Sequence, residues 1–469
     1  MTKKIITDVL PVKSNTPFVL YALARTDESE NSISHSFSLH PNIDIIRQRI
    51  SQKMEGLKDQ NSKKDIIPDI SDAPDDLTEI GRGVWKFYNR LRSFYELISF
   101  VSLVPDAIIS GYFDRNIKSF VEKECELIEK IDDYEIRGVQ PQHKKSIMDS
   151  LDRWNDIDAG FQKLPSSIFL SLISTYDSVF AEYTELLLKS HPERYSGSDR
   201  VYSVSEILSL GDVSLLIEKV ANDEVNDLMR KNHHDQIEFF EKSFHIGIKN
   251  HFKRWNEFIE VFERRNLSAH GNLVVNKLYL NNVSKDLSEK LEIGSLLILD
   301  DHYLEHAVDI LLEFGILLSF TAWQKQLPKQ VDDSYDTIVE VSFSLLQEKR
   351  YKLVSRLCEY VSNIGGKKCN DATLRRLIVN HAIAEKMQDE KFDIEPILLK
   401  CDWSVCDISF EICLNALRGN SIGAADLLNN FKASVAGGEA MIREWPVFYW
   451  LRSDDAFRAE FKKVYDEVL

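Results

Sequence analysis

Along most of this chain, apolar residues recur every three to four positions, the spacing of a helix that buries one face. The cleanest run covers 166–189, where Phe169, Leu172, Ile173, Tyr176, Phe180, Tyr183 and Leu187 fall on one stripe and His191-Pro192 ends it. Residues 80–109 repeat the pattern with Val84, Phe87, Leu91, Tyr95 and Ile98, and Pro105 predicts an interruption. Further helices are expected over 43–54, 117–131, 225–244, 248–269 and 302–323. Ser203 with Glu206 forms a capping box, and Asp300 or Asp301 caps the helix that begins at 302.

Other textures are local. The run Phe18 to Ala22 suggests a strand, and 278–280 with 296–299 suggest a small hairpin. Residues 59–76, with Pro68 and Pro74, form a polar linker, and 138–142, with Pro141, a loop. Beyond Pro328, helices come in pairs: 335–347 with 351–364, then 372–387, then 408–417 with 424–431. They show neither a fixed period nor a repeat signature, so irregular helical hairpins describe them better than a regular solenoid. The expectation is a mainly α protein in three parts: a mostly helical region over 1–155, a helical bundle over 156–328 and a repeat-like region over 329–469.

Composition narrows the chemistry. The chain has 469 residues, 43% hydrophobic and 28% charged, which fits a globular protein with real cores. The cysteines at 125, 358, 369, 401, 406 and 413 include no CxxC pair, so neither a zinc site nor a disulfide framework is indicated, and reduced cytoplasmic thiols fit. The first ten residues lack the apolar core of a signal peptide. The most apolar stretch, 307–322, is interrupted by Asp309 and Glu313, so no membrane span is expected. A net charge of −17 excludes a protein that coats nucleic acid by bulk electrostatics, yet leaves room for an enzyme acting on RNA through a small basic site.

Few motifs carry chemistry. Gly81-Arg82-Gly83 lacks the third glycine of a dinucleotide loop, Gly365-Gly366-Lys367-Lys368 lacks the phosphate-loop spacing, and no Gly-x-Ser-x-Gly elbow occurs. His302 and His306 have metal-ligand spacing but no glutamate directly after the first, so no metal is expected; His233-His234 reads as a solvated pair. The segment Glu263 to His270 is different. Arg265 presents a planar fork of donors suited to phosphate, His270 carries protons near neutral pH, and Asn266 can orient either. Together they can cleave RNA without metal, one group managing the ribose 2′-OH proton, another the leaving 5′ oxygen. The competing reading pairs Arg265 with a surface carboxylate and leaves His270 to cap the helix before Gly271. From 245 to 270 five cations stand against three carboxylates, and Trp255, Phe258 and Phe262 read as core. Two other segments fit a bare Arg…His pattern, 376–381 and 137–143, but Leu377 follows the first arginine and Gly138 and Pro141 interrupt the second.

The 265–270 segment resembles the motif of the HEPN superfamily (higher eukaryotes and prokaryotes nucleotide-binding): an arginine, a spacer of four to six residues whose first is polar, then a histidine. The resemblance covers roughly 160–325. It implies a HEPN-like bundle and a metal-independent endoribonuclease with Arg265, Asn266 and His270 as catalytic residues and no cofactor. Arg264, Asn272 and Asp177 become candidates to bind or orient the substrate. It also implies a homodimer that brings two motifs together, a toxin-like, abortive-infection or anti-phage role in the cytoplasm, and a regulatory or trigger protein met through the C-terminal region. The alternative is a non-catalytic dimerisation scaffold or antitoxin.

Overall fold

A computed structural model describes residues 19–27, 32–40, 77–131, 134–138, 141–191, 201–270, 273–363 and 369–469. Two compact units divide at 70/71. In the first, β1 (Val19–Asp27) pairs antiparallel with β2 (Ser32–His40), Val19 opposite His40. The apolar run at 19–22 is therefore a strand. The helix expected at 43–54 and the linker at 59–76 lie outside the described residues.

Among its described residues, the second unit, Ser71–Leu469, has helices, one hairpin and a single isolated bridge as its regular elements. It opens with α1 (Arg82–Tyr112), a π-helical turn (Phe113–Lys118) and α2 (Ser119–Glu124). The hairpin β3 (Glu126–Ile131) and β4 (Tyr134–Gly138) follows, then α3 (Pro141–Phe161) and α4 (Leu164–Ser190). Next come α5 (Val204–Leu210), α6 (Val213–Leu228), α7 (His233–Phe244) and α8 (Trp255–His270). The short α9 (Lys277–Asn282) and α10 (Lys285–Ser288) lead to α11 (Asp301–Gln326). Then run α12 (Val331–Gln347), α13 (Tyr351–Asn363), α14 (Asp371–Gln388), α15 (Glu395–Leu398) and α16 (Ile408–Leu417). The chain closes with α17 (Ser421–Asp426), α18 (Leu428–Ser434), α19 (Gly438–Glu444), a 3-10 turn (Pro446–Phe448) and α20 (Asp455–Tyr465).

The axis is α11. It is apolar around its whole circumference, so it must be covered on all sides. By length and composition it is the one described helix able to cross a membrane, but 83% of that stretch is buried within the protein, which makes it a core helix. Helix α1 lies along it and α4 packs against both. Two glycines set how closely they approach: the Phe87 ring of α1 occupies the space where a Cβ on Gly315 would stand, and the Tyr183 ring of α4 does the same at Gly83. One continuous core runs from Ile80 to Phe461. The borders expected at 155/156 and 328/329 thus fall inside this unit, and the C-terminal hairpins share its core through α12 and α13, which pack on α11.

Several expectations are corrected. Helix α1 runs through Pro105, because a proline removes one backbone bond and the bonds on either side carry the helix on. Residues 117–131 are not one helix: the chain extends after Glu124, and Ile131, Tyr134 and Ile136 suit the hairpin they form. The loop at Pro141 is the first turn of α3, where a missing N–H costs nothing. The helix expected over 225–244 breaks at 229–232, because Asn232 caps a new helix by accepting from the Asp235 N–H at 2.9 Å. Helix α8 starts at Trp255 rather than 248, and the Lys249 N–H donates to the Glu241 carboxylate at 2.7 Å instead of to a helix. Leu278 to Leu280 lie in α9, capped by Asn276, and Leu296 bridges Val274 instead. Residues 424–431 are split between α17 and α18.

The two kinds of glycine give a paired prediction. Gly315→Ala forces the Phe87 ring aside and should lower unfolding stability by about 1–3 kcal/mol. Gly160→Ala, in α3 with open space around it, should be neutral or stabilising by up to about 1 kcal/mol. Urea unfolding of both variants checks this, and equal effects would remove the close-approach argument.

Candidate functional site

The roll of α8 is set by aromatic burial. Phe258 stacks on Phe314 of α11 with ring centroids 4.1 Å apart, and Phe262 meets Phe258 edge-on at 5.0 Å. Both are buried, as core residues should be. At the start of the helix, the buried Glu313 carboxylate accepts from Arg254 Nη1 at 3.0 Å and from Arg356 Nε of α13 at 2.6 Å. Arg254 also donates to Glu257, whose Oε2 lies 3.0 Å from His306 Nε2. Burial alone would raise the Glu257 carboxyl, but hydrogen bonds from His306 and Arg254 outweigh it and hold it at about 2. His306 therefore belongs to an ion cluster.

One turn on, Glu260 is buried and accepts from Arg264 Nε at 2.7 Å, from the Tyr279 hydroxyl at 2.6 Å and from the Tyr303 hydroxyl at 2.7 Å. The Arg264 guanidinium lies over the Tyr303 ring, 3.6 Å from its centroid. Arg264 thus ties α8 to α9 and α11 and is not among the residues that line the pocket below.

Beyond these anchors, α8 borders a polar pocket of about 590 Å³, closed by Asp177 of α4 and the start of α7. Arg265 and Asn266 line it together. The one hydrogen bond of Arg265 runs from Nη1 to Asn266 Oδ1 at 3.3 Å, and among the described residues no carboxylate pairs with it. Facing them, His233 stacks on Phe262 with centroids 3.4 Å apart and places Nε2 2.9 Å from Asp177 Oδ1. When neutral, an imidazole that donates through Nε2 keeps Nδ1 as an acceptor. Arg230, Lys231 and Arg265 balance Asp177, Asp235 and Glu263 around the pocket, so it suits one discrete anion better than a long polyanion.

His270 is the last residue of α8 and is exposed, outside the pocket lining. Five residues from Arg265 make about 500° of helical turn, whereas four from Asn266 make about 400°, so His270 follows Asn266 on one side of the helix. Asp177, a candidate to bind or orient the substrate, lines this pocket and is bonded to His233. Of His233 and His234, the second is exposed, with Nε2 2.7 Å from Lys249 Nζ, while the first is half-buried against the Phe262 ring. Asn272 lies outside the described residues. The sequence reading missed His233; its one signal was Asn232 as a helix cap, which places the next residue at the pocket's edge.

The two other Arg…His segments are built into the structure. Arg376 pairs with Asp336 at 2.5 Å, and His381 is buried with Nε2 3.5 Å from Glu385. Arg137 lies in β4, and His143 in α3 meets Glu124 at 3.9 Å and the Phe120 ring. For metal, His234, Asp235 and Glu238 form the one group among the described residues whose ligand atoms fall within 4.8 Å of one another. All three are exposed, and Glu238 already accepts from Lys242 at 2.6 Å.

A pH dependence follows from Glu257. Its carboxyl is held at about 2 in the folded chain against an ordinary 4.5, so the unfolded chain takes up the proton first. This stabilisation is present above about 4.5 and is lost as pH falls through about 2. Glu257→Gln should lower the unfolding temperature near pH 7 and reduce its change between those two pH values; an unchanged slope would remove Glu257 as a cause. No family model, curated protein or solved structure matches the chain.

Proposed function

We propose that the chain is a metal-independent endoribonuclease of the HEPN type, acting in the cytoplasm as a homodimer. The observation that carries the reading is Arg265: unlike Arg376, which pairs with Asp336, it lines a polar pocket that also holds a carboxylate-bound histidine, and it has no carboxylate partner among the described residues. A guanidinium in that state suits a phosphate. In the proposed reaction the ribose 2′ oxygen attacks phosphorus and the 5′ oxygen leaves, giving a 2′,3′-cyclic phosphate and a 5′-hydroxyl. One proton leaves the 2′-OH and one reaches the 5′ oxygen. Arg265 holds the phosphate and its added charge, Asn266 orients Arg265, and His270 moves a proton.

The homodimer reading has a physical basis beside the motif. The lobe after α8 alternates: Val275 and Leu297 are buried, whereas Val274, Leu296 and Ile298 are exposed. Val274 bridges Leu296, so these side chains share one outer face, and an apolar face next to His270 suits a two-fold contact with a second copy. Growth arrest in anti-phage defence, released by a protein that binds the C-terminal helices, completes the proposal. The second reading, a non-catalytic dimerisation module, is favoured by the position of His270 outside the pocket.

Wild-type protein incubated with total RNA in EDTA should cleave it, and Arg265→Ala and His270→Ala should each slow cleavage by about 100-fold or more. Intact RNA with the wild type, or unimpaired variants, would favour the second reading. Ile298→Asp should convert the dimer to monomer in light scattering and abolish cleavage with it; a dimer that survives would move the interface elsewhere.

A further inference from the structure

Cleavage through the ribose 2′ oxygen moves two protons: one leaves the 2′-OH and one reaches the departing 5′ oxygen. The motif offers His270 for this work, but His270 is exposed at the end of α8 and does not line the pocket that holds Arg265. That pocket is lined instead by two histidines of α7, His233 and His234, which the motif does not include.

Three observations single out His233. Its ring lies flat on Phe262, which precedes Arg265 and Asn266 by three and four residues; these positions share one face of α8, and His233 stands against that face. Its Nε2 lies 2.9 Å from Asp177 Oδ1, and the two side chains are 16% and 23% exposed. A carboxylate so shielded holds the imidazole in one tautomer and stabilises the imidazolium once a proton arrives. Its Nδ1 has no partner among the described residues and is not sealed from solvent, so a substrate hydroxyl can reach it. His234 differs on each count: it is exposed, its Nε2 meets Lys249 Nζ at 2.7 Å, and the Asp235 carboxylate stands 3.7 Å from its Nδ1.

We propose that His233 is the catalytic base of this pocket and that Asp177 is its positioning residue; the proposal rests on the ribonuclease reading. With Nε2–H donated to Asp177, Nδ1 takes the proton of the ribose 2′-OH as the 2′ oxygen bonds to phosphorus. The bond from phosphorus to the 5′ oxygen breaks, and that oxygen receives its proton from His270. Both histidines then exchange protons with water and return to their starting states. The test follows cleavage of total RNA in EDTA by the full chain. His233→Phe keeps a ring on Phe262 but has no nitrogen, so it should fold and cleave about 100-fold more slowly. Asp177→Asn should slow cleavage by a smaller factor. His233→Gly should be equally slow, and added imidazole should restore about tenfold of the rate, which a merely structural histidine would not allow. Arg265→Ala should gain nothing from imidazole. Intact RNA with the wild type would overturn this proposal together with the ribonuclease reading. Cleavage that is lost in Arg265→Ala but undiminished in His233→Phe would overturn this proposal alone, as would a folded His233→Gly chain that imidazole leaves inactive.

Discussion

The stretch of α11 from Ile310 to Phe320 is buried at every position, so it must be covered on every side, and the second unit is arranged to do that. Helices α1 and α4 approach closely where Gly315 and Gly83 yield room to Phe87 and Tyr183. Helix α8 closes another side with Phe258, and α12 and α13 a further one. The one buried charge on α11 is Glu313, and it is tolerable because two arginines from different elements reach it. The carboxylate thereby fixes which elements may neighbour α11: the start of the motif helix on one side, α13 on the other. The motif's position follows from a core requirement some distance from it.

Periodicity told most where one face was buried and little where burial was total or local. The stripe from Phe169 to Leu187 is buried in full, because α4 has one core side and a regular repeat. The starts of α11 and α14 were legible because side-chain caps, Asp300 and Asn370, stand where the apolar spacing begins. The break at 229–232 was hidden: Met229, Arg230 and Lys231 are all good helix formers, and only the single asparagine cap at 232 marks the new start. The hairpin at 126–138 was hidden for another reason, since short alternating segments fit both periods until a partner strand is present. The supposed hairpin at 278–280 failed in the opposite direction, a capping asparagine turning an apolar run into a helix.

The candidate site divides the same way. That Arg265 and Asn266 stand side by side was visible in the sequence itself. That Arg264, its neighbour, is tied up in a buried network was not, because Glu260, Tyr279 and Tyr303 come from three different elements. Consecutive residues on a helix point about 100° apart, so one arginine can face the core while the next faces a pocket. The partnership of Asp177 with His233 lay equally beyond a linear reading, since 56 positions separate them.

Helix geometry also bears on the proposed assembly. Arg265 and His270, about 500° apart, point some 140° away from each other, with the histidine about 7.5 Å further along the axis. On the ribonuclease reading, a phosphate held by Arg265 inside the pocket meets His233 of the same chain, whereas His270 is exposed at the helix end outside the pocket lining, and the lobe that follows exposes Leu296 and Ile298. On the ribonuclease reading, a second copy docked on that lobe is what brings a His270 near a phosphate. The need for a dimer then arises from the pitch of one helix and the alternation of one short segment, and the −17 charge is no obstacle, because the chemistry asks for one well-placed guanidinium rather than a basic surface.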